Sequence, residues 1–368
     1  MSQNYHKPDY LLIGVIFIII VFGLVMLSSA SSAKAVKEFS DSYYYLKHQL
    51  FLGFFPGLVF LYLLARFDYR RWQKLSIFWL VASFALLLLP FIPGLGTNLG
   101  TSSKSWIDLG FFTLQPSEIV KLTFILYLAN WFANRKWREV GNLYYGFLPF
   151  VLVLILVAVL VMAQPDIGTM SIIVAIALAI YFSAGASLLH LFWLFLAGAG
   201  GFTLLIKMKP YRVQRLLAFL NPGLDPQGIG YHINQALLAI GSGGWLGRGL
   251  GQSRQKFDYL PEMFGDSIFA VIAEELGFIM VIGLIILFII LMYRGLRLAD
   301  RAPDMFGRLL AIGIVFWFVF QALVNIGAMA GLLPLTGLPL PFISYGGTAL
   351  MTSLAAAGIL INISRQTR

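Results

Sequence analysis

An all-α polytopic membrane protein of about ten transmembrane helices is the fold class predicted for this chain, on three observations. Hydrophobic residues make up 59% of its 368 positions and charged residues 11%, well under the roughly one quarter of charged residues usual in a soluble domain. Apolar runs long enough to cross a hydrocarbon core of about 30 Å recur from end to end. One long interruption occurs, at about residues 207–265, and the spans on either side leave no room for a separate soluble domain. Residues 1–368 are therefore expected to form a single integral membrane domain, with 207–265 as a large extracytoplasmic loop between helices 7 and 8.

The spans fall, in order, near residues 11–30, 49–66, 76–93, 114–134, 146–163, 166–184, 188–206, 266–293, 308–332 and 344–363. Span one is followed by SSASSAKA, which imitates a signal-peptide cleavage site. The run is too long for that and nine spans follow it, so it reads as a retained helix. Orientation comes from Lys and Arg. Arg66, Arg70, Arg71 and Lys74 lie between spans two and three, Arg135, Lys136 and Arg138 between four and five, and Arg294, Arg297, Arg301 and Arg308 between eight and nine. The positive-inside rule turns these connections to the cytoplasm, and an even number of spans then puts both termini there.

The loop after span seven is exempt from that rule because long loops translocate largely regardless of charge. Its Lys207, Lys209, Arg212, Arg215, Arg248, Arg254 and Lys256 outnumber Asp225, Asp258 and Glu262. An anionic ligand is one reading of this excess, and contact with lipid head groups is the other.

Several chemistries are excluded by residue type. Cysteine is absent, which removes disulfides, thiolate catalysis and cysteine metal sites. His6, His48, His190 and His232 are scattered without ligand spacing. The glycine-rich GSGGWLGRGLGQ lacks the lysine and preceding strand of a phosphate loop, so no nucleotide cofactor is expected. Following the apolar-spaced YHINQALLAI, it reads as a re-entrant or surface-lying segment in which glycine permits sharp turns and close approach, with a flexible connector as the alternative.

Ionisable residues inside spans are the sharper filter, because a charge at the bilayer centre costs about 2.5 to 3.5 kcal/mol on the insertion scale. Glu118 and Lys121 in LQPSEIVKL are three apart and share a helix face, as a structural ion pair or as part of a polar path. Asp166 follows a proline at a hairpin. Glu274 and Glu275 lie two to three turns inside span eight and are expected to bind neighbouring helices or backbone. Asp266, in GDSIFAVIAEELGF, stands where a polar loop enters span eight. Helix capping and chemistry on a carboxylate facing water are both open for it.

The motifs WIDLGFFTLQPSEIVKL, AQPDIGT, YRVQRLLAFLNPGLDPQGIGYHINQALLAIGSGGWLGRGLGQSRQKFDYLPE, GDSIFAVIAEELGF and GLPLPFISYGGTAL, in this order between residues 9 and 363, resemble the SEDS family of RodA and FtsW. The opening DYLLIGVIFIIIVFGLVMLSSAS and GQSRQKFDYLPE look more like the FtsW branch. The resemblance implies ten helices and a peptidoglycan glycosyltransferase that polymerises lipid II. It carries a catalytic aspartate onto Asp266 and the ion pair of the QPSE segment onto Glu118 and Lys121. One departure is Lys104 before Ser105 and Trp106, where many relatives have arginine, and Lys104 is then the replacement charge.

On that reading Asp266 is the base for a sugar hydroxyl, with Lys121 keeping the carboxylate ionised. Arg212, Arg215 or a divalent cation, Mg²⁺ or Mn²⁺, stabilises the departing pyrophosphate. A lipid-linked donor requires a lateral groove, and LLPLTGLPLPFISYGGTAL is expected to lead non-helically into span ten, lining the cavity or forming an ordinary tight loop. The family also implies a partner, a class B penicillin-binding protein that cross-links the glycan. The membrane in question is the bacterial cytoplasmic membrane, and no nucleic acid is expected to bind. A lipid II flippase and a non-catalytic scaffold for the transpeptidase are the competing functions.

Overall fold

The computed structural model describes residues 6–97, 105–110, 112–207, 210–221, 227–228, 230–257 and 259–367. Ten helices occupy the predicted spans: α1 (Tyr10–Phe39), α2 (Tyr44–Arg66), α3 (Ser76–Phe91), α4 (Pro116–Ala133), α5 (Leu143–Ala163), α6 (Ile167–Ser183), α7 (Leu188–Lys207), α10 (Ile268–Asp300), α11 (Met305–Met329) and α12 (Gly347–Ser364). Two more, α8 (Pro210–Leu220) and α9 (Tyr231–Gly243), lie in the long segment between α7 and α10.

Local chemistry explains the helix ends and irregularities. Asp9 caps α1 by accepting from the amides of Leu11 and Leu12, each at 3.1 Å. Asp166 caps α6 through the amide of Thr169 at 2.9 Å. A π-helical turn occurs in α2 at Leu50–Phe54 and another in α5 at Leu143–Phe147. Each stands just before a proline, Pro56 and Pro149, whose ring crowds the carbonyl four residues back and whose missing N–H leaves the ladder one bond short. Neither turn was expected from the sequence. The same holds for the antiparallel sheet between α3 and α4, formed by β1 (Gly96–Thr97), β2 (Trp106–Asp108) and β3 (Thr113–Leu114), with Ile107 opposite both Gly96 and Leu114.

Burial separates core from periphery. The apolar windows of α11 and α12 are 72% and 83% enclosed by protein, against 17% for α2, and α4 is buried along almost its whole length. Around this centre α11 packs on α4, α6 and α10, and α12 packs on α2 and α4. Lipid tails are as apolar as leucine, so such contacts depend on close packing by small residues. An added Cβ at Gly358 would lie 2.6 Å from the carbonyl oxygen of Leu61, and one at Gly57 would lie 2.4 Å from Leu354.

Both ends of the described chain meet at one end of the bundle. The His6 amide donates to the Arg365 carbonyl at 2.8 Å, and the Asp9 amide to Ser364 Oγ at 3.2 Å. That is the geometry of an even number of crossings. At the same end Asp304, which caps α11, accepts from Tyr69 Oη and Arg70 Nε, both at 2.7 Å.

Candidate active site

The opposite end of the bundle carries Asp266. Ser267, and not Asp266, is the residue at the N-cap position of α10, and it makes no capping hydrogen bond from its side chain. The capping reading is thereby corrected, because the chain turns through 261–267 and leaves the aspartate one residue short of the cap. Asp266 is half-buried, and its Oδ2 approaches Gly337, where an added Cβ would stand 3.8 Å away.

The backbone beneath this carboxylate is clamped. Three consecutive carbonyls each accept a bond from the central helices or the loop joining them. Phe264 O accepts from the Tyr345 amide at 2.9 Å, Gly265 O from Ser344 Oγ at 2.7 Å, and Asp266 O from Asn325 Nδ2 at 2.7 Å. The 330–346 connection is non-helical, as expected, and it lines the site. Its Leu338, Leu340, Phe342 and Ile343 are buried among the helices. Aromatic rings complete the floor, with Phe264 against Tyr45 and Tyr345. Burial pushes the Tyr345 phenol above its ordinary range. Its Oη is hydrogen-bonded with His48 Nδ1, 2.8 Å away.

Asn325 belongs to a ladder on α11. It also donates to Leu338 O at 2.7 Å, and one turn earlier Gln321 Nε2 donates to Pro339 O at 2.7 Å. Gln321 Oε1 in turn accepts from Lys121 Nζ and from Trp317 Nε1, each at 2.8 Å. Lys121 pairs with Glu118 at 2.7 Å, and the two side chains are 0% and 2% exposed. The predicted ion pair thus exists, sealed within the bundle. Lys121 spends its contacts on Glu118, Gln321 and the Trp317 ring and reaches the neighbourhood of Asp266 only through Gln321 and the loop that Gln321 holds.

Glu274 and Glu275 are buried one helical stretch further on. Glu274 accepts from Ser253 Oγ and from the amides of Arg254 and Gln255 at 3.0 and 3.3 Å. Glu275 has Ser29 Oγ at 2.6 and 2.8 Å from its two oxygens, the Ser253 amide at 3.3 Å and Lys256 Nζ at 3.4 Å. Both bind a neighbouring helix or loop backbone, as their depth predicted. Beside them α10 is broken at Gly277, with φ 74° and ψ −177°. The glycine-rich segment fills the break. Arg248 and Gly249 amides donate to the Glu274 and Glu275 carbonyls, and the amides of Phe278 and Ile279 donate to Gly244 and Trp245 carbonyls. Close approach is what glycine supplies there, since a Cβ on Gly277 would lie 2.2 Å from the Gly247 nitrogen. Trp245 and Leu246 remain exposed, in keeping with a surface-lying segment and not with a loose connector.

Of the other predicted residues, Lys104 lies outside the described residues, as do the side chains of Arg212 and Arg215, whose backbone belongs to α8. Among the described residues no group of three or more His, Asp or Glu side chains is arranged to hold a metal ion. A cavity of 540 Å³ opens between α1, α2 and the end of the glycine-rich segment, lined by Leu24, Val25, Leu46 and Leu50 together with Ser28, Ser29 and Ser32. Sequence spacing missed one contact. His232 on α9 places Nε2 2.6 Å from Ser267 Oγ, a pairing across 35 positions that no local pattern signals.

Residues 9–368 match the cell cycle protein family FTSW_RODA_SPOVE. The chain belongs to this family. Stage V sporulation protein E of Bacillus subtilis (strain 168) is 42% identical over the full length of both chains. The probable peptidoglycan glycosyltransferase FtsW of Trichlorobacter lovleyi is 42% identical, covering 97% of this chain and 93% of its own. Among solved structures, a chain from a study of polymerization and crosslinking by a peptidoglycan synthase complex aligns over 98% of both chains, with TM-score 0.79 at 28% identity. RodA of Thermus thermophilus aligns over 99% of both, with TM-score 0.72 at 28% identity. The bundle, with the long segment that brings α9 against α10, thus aligns with these solved structures over almost its whole length.

Proposed function

We propose that this chain is a peptidoglycan glycosyltransferase that polymerises lipid II into glycan strands, with Asp266 as general base. One observation carries the reading: a half-buried carboxylate at the mouth of the bundle, on backbone clamped at three successive carbonyls and facing a glycine with no side chain to cover it. A rigid base within reach of water and lipid is what transfer from a lipid-linked sugar requires. Relatives named probable peptidoglycan glycosyltransferase FtsW support the same reaction class.

In this mechanism a lone pair of the acceptor hydroxyl attacks the anomeric carbon of the second, lipid-linked sugar. The new carbon–oxygen bond forms as the bond to the pyrophosphate oxygen breaks, and that electron pair leaves with the pyrophosphate. The hydroxyl proton passes to Asp266. A phosphate leaving group needs no general acid, so one carboxylate suffices where a glycosidase uses two, and a single displacement inverts the anomeric centre. Glu118 and Lys121 act as a brace that holds the Pro339 loop through Gln321. Lys104, Arg212 and Arg215 are proposed to meet the pyrophosphate. A divalent cation, Mg²⁺ or Mn²⁺, would travel with the pyrophosphate and take at most one or two protein carboxylates, as Mg²⁺ commonly does. No step above runs through it.

The working surface is the outer face of the bacterial cytoplasmic membrane, with residues 1–368 as one domain. Basic connections at the other end direct both termini to the cytoplasm, and their mutual contact supports a common side. The partner is a class B penicillin-binding protein, in line with the polymerization and crosslinking named for the synthase complex. A lipid II flippase would use Glu118 and Lys121 as a polar path, but their enclosure and mutual saturation favour a brace. A scaffold role gives no reason for a clamped carboxylate.

The test is glycan synthesis from lipid II by the purified chain with its class B partner. Asp266→Asn is expected to lower polymerisation by about 10²- to 10⁴-fold, the usual contribution of a general base, at unchanged folding and partner binding. Unchanged polymerisation would return the chain to transport or scaffolding.

A further inference from the structure

We infer that His232 is a positioning residue that acts on Asp266 through Ser267, so that α9, inside the long segment, sets the direction of the base. This rests on the reading of Asp266 as the base. Ser267 Oγ is fully buried and has three neighbours: His232 Nε2 at 2.6 Å, Pro261 O at 2.8 Å and Asp266 Oδ1 at 3.3 Å. Two of these, a carbonyl and a carboxylate, only accept. Serine has a single proton, and spending it on His232 would leave its oxygen facing both acceptors with nothing between. The hydroxyl proton therefore points mainly to Pro261 O and is shared more weakly with Asp266 Oδ1, and His232 is then the donor, with its hydrogen on Nε2.

The chain of donors runs one way, from His232 Nε2–H to Ser267 Oγ and from Ser267 Oγ–H to the pair Pro261 O and Asp266 Oδ1. Each bond polarises the next. With Oδ1 toward the buried serine, Oδ2 is the oxygen on the Gly337 side. The serine contact thereby fixes which of the two carboxylate oxygens is turned to the Gly337 side. α9 carries His232 one residue after its first position and packs directly on α10, so the tether depends on the long segment being seated.

The experiment measures kcat and KM for lipid II polymerisation by the chain with its class B partner. His232→Phe keeps the ring and removes the donor, and His232→Gln keeps an N–H at the place of Nε2. Expected is a fall in kcat of about tenfold to a hundredfold for His232→Phe, the range of a lost hydrogen bond to a charged site, with KM within about twofold. His232→Gln should recover most of that loss. A role in packing alone predicts the reverse, retention by the similar-sized phenylalanine and no rescue by glutamine. If His232→Phe does not fold, Ser267→Ala decides, since it removes the relay and leaves the histidine. Unchanged kcat in Ser267→Ala, or no recovery in His232→Gln, overturns the inference. Where Asp266→Asn abolishes synthesis and these variants do not lower kcat, the base stands and the tether fails; where Asp266→Asn itself retains activity, the base reading has failed first.

Discussion

Helix α10 carries two kinds of acid eight residues apart. Asp266 sits before its first turn, half-buried, with its backbone clamped and one carboxylate oxygen on the side of Gly337. Glu274 and Glu275 lie inside, almost wholly enclosed, and each is met by several donors from residues 253–256, just after the glycine-rich segment, or from α1. A buried carboxylate saturated with donors has no capacity for substrate, and its ionisation serves the packing of the chain. What distinguishes the candidate base is rigid backbone support under a side chain that is only half-buried. Depth alone ranks these acids wrongly, since the deepest are the most structural.

The comparison is broken most directly by exchanging charge for amide at both places. Asp266→Asn should remove polymerisation while leaving thermal unfolding where it was. Glu275→Gln should do the opposite. It strands Lys256, itself buried and 3.4 Å away, and breaking a buried pair costs about 3 to 5 kcal/mol. Thermal unfolding and glycan synthesis measured on both variants separate the two kinds of acid. A Glu275→Gln protein that is fully stable yet inactive would erase the distinction.

A second effect of similar size tests the latch that saturates the glutamates. Gly277→Ala would force a β-carbon against the Gly247 nitrogen at a positive φ. Strain at a left-handed position costs on the order of 1 to 3 kcal/mol before the collision is counted. The expected loss of thermal stability should be accompanied by protease sensitivity in 244–257, measured by limited proteolysis. An intact, resistant segment in the variant would mean that the break in α10 is not held by these backbone bonds.

The ion pair of α4 offers a third measurement. Lys121→Met leaves Glu118 enclosed without its counter-charge, an expected loss of about 3 kcal/mol or more, whereas the double change Glu118→Gln with Lys121→Met should restore most of it. Thermal unfolding reads both. Activity of a stable double variant would exclude the pair from the chemistry and leave Gln321 to hold the loop through Trp317 and Pro339 alone. Loss of activity at restored stability would instead return it to the chemistry.

Spans were legible because each demands some twenty apolar residues, a signal that no neighbour can hide, and the positions of Glu118, Lys121, Glu274 and Glu275 stood out for the same reason. Asp266 was legible as a place but not as a geometry. Capping preference pointed to it, yet the turn at 261–267, set by contacts with Ser344, Tyr345 and Asn325 far along the chain, moved the cap to Ser267. His232 and Ser267 met for the same long-range reason, and so did the glycines with the break at Gly277. The π turns before Pro56 and Pro149 could have been anticipated from proline chemistry. Packing across the bundle, and not local pattern, decides the rest.

The smallest expected effect concerns how Glu274 is held. Its near partners are hydrogen-bond donors, Ser253 Oγ and two amides. Arg248 Nε stands 3.8 Å off on a side chain 32% exposed, beyond hydrogen-bonding distance and open to screening by salt. Partly exposed pairs contribute about 0 to 1 kcal/mol, so Arg248→Gln should shift unfolding little and the shift should fade at high salt. Ser253→Ala removes a donor from a buried carboxylate and should cost about 1 to 3 kcal/mol at any ionic strength. Unfolding of the two variants at low and high salt orders the contributions. If Arg248→Gln proves the costlier at low salt and the difference vanishes at high salt, Glu274 is held by charge, and the glycine-rich segment is an electrostatic dock on α10 instead of a hydrogen-bonded latch.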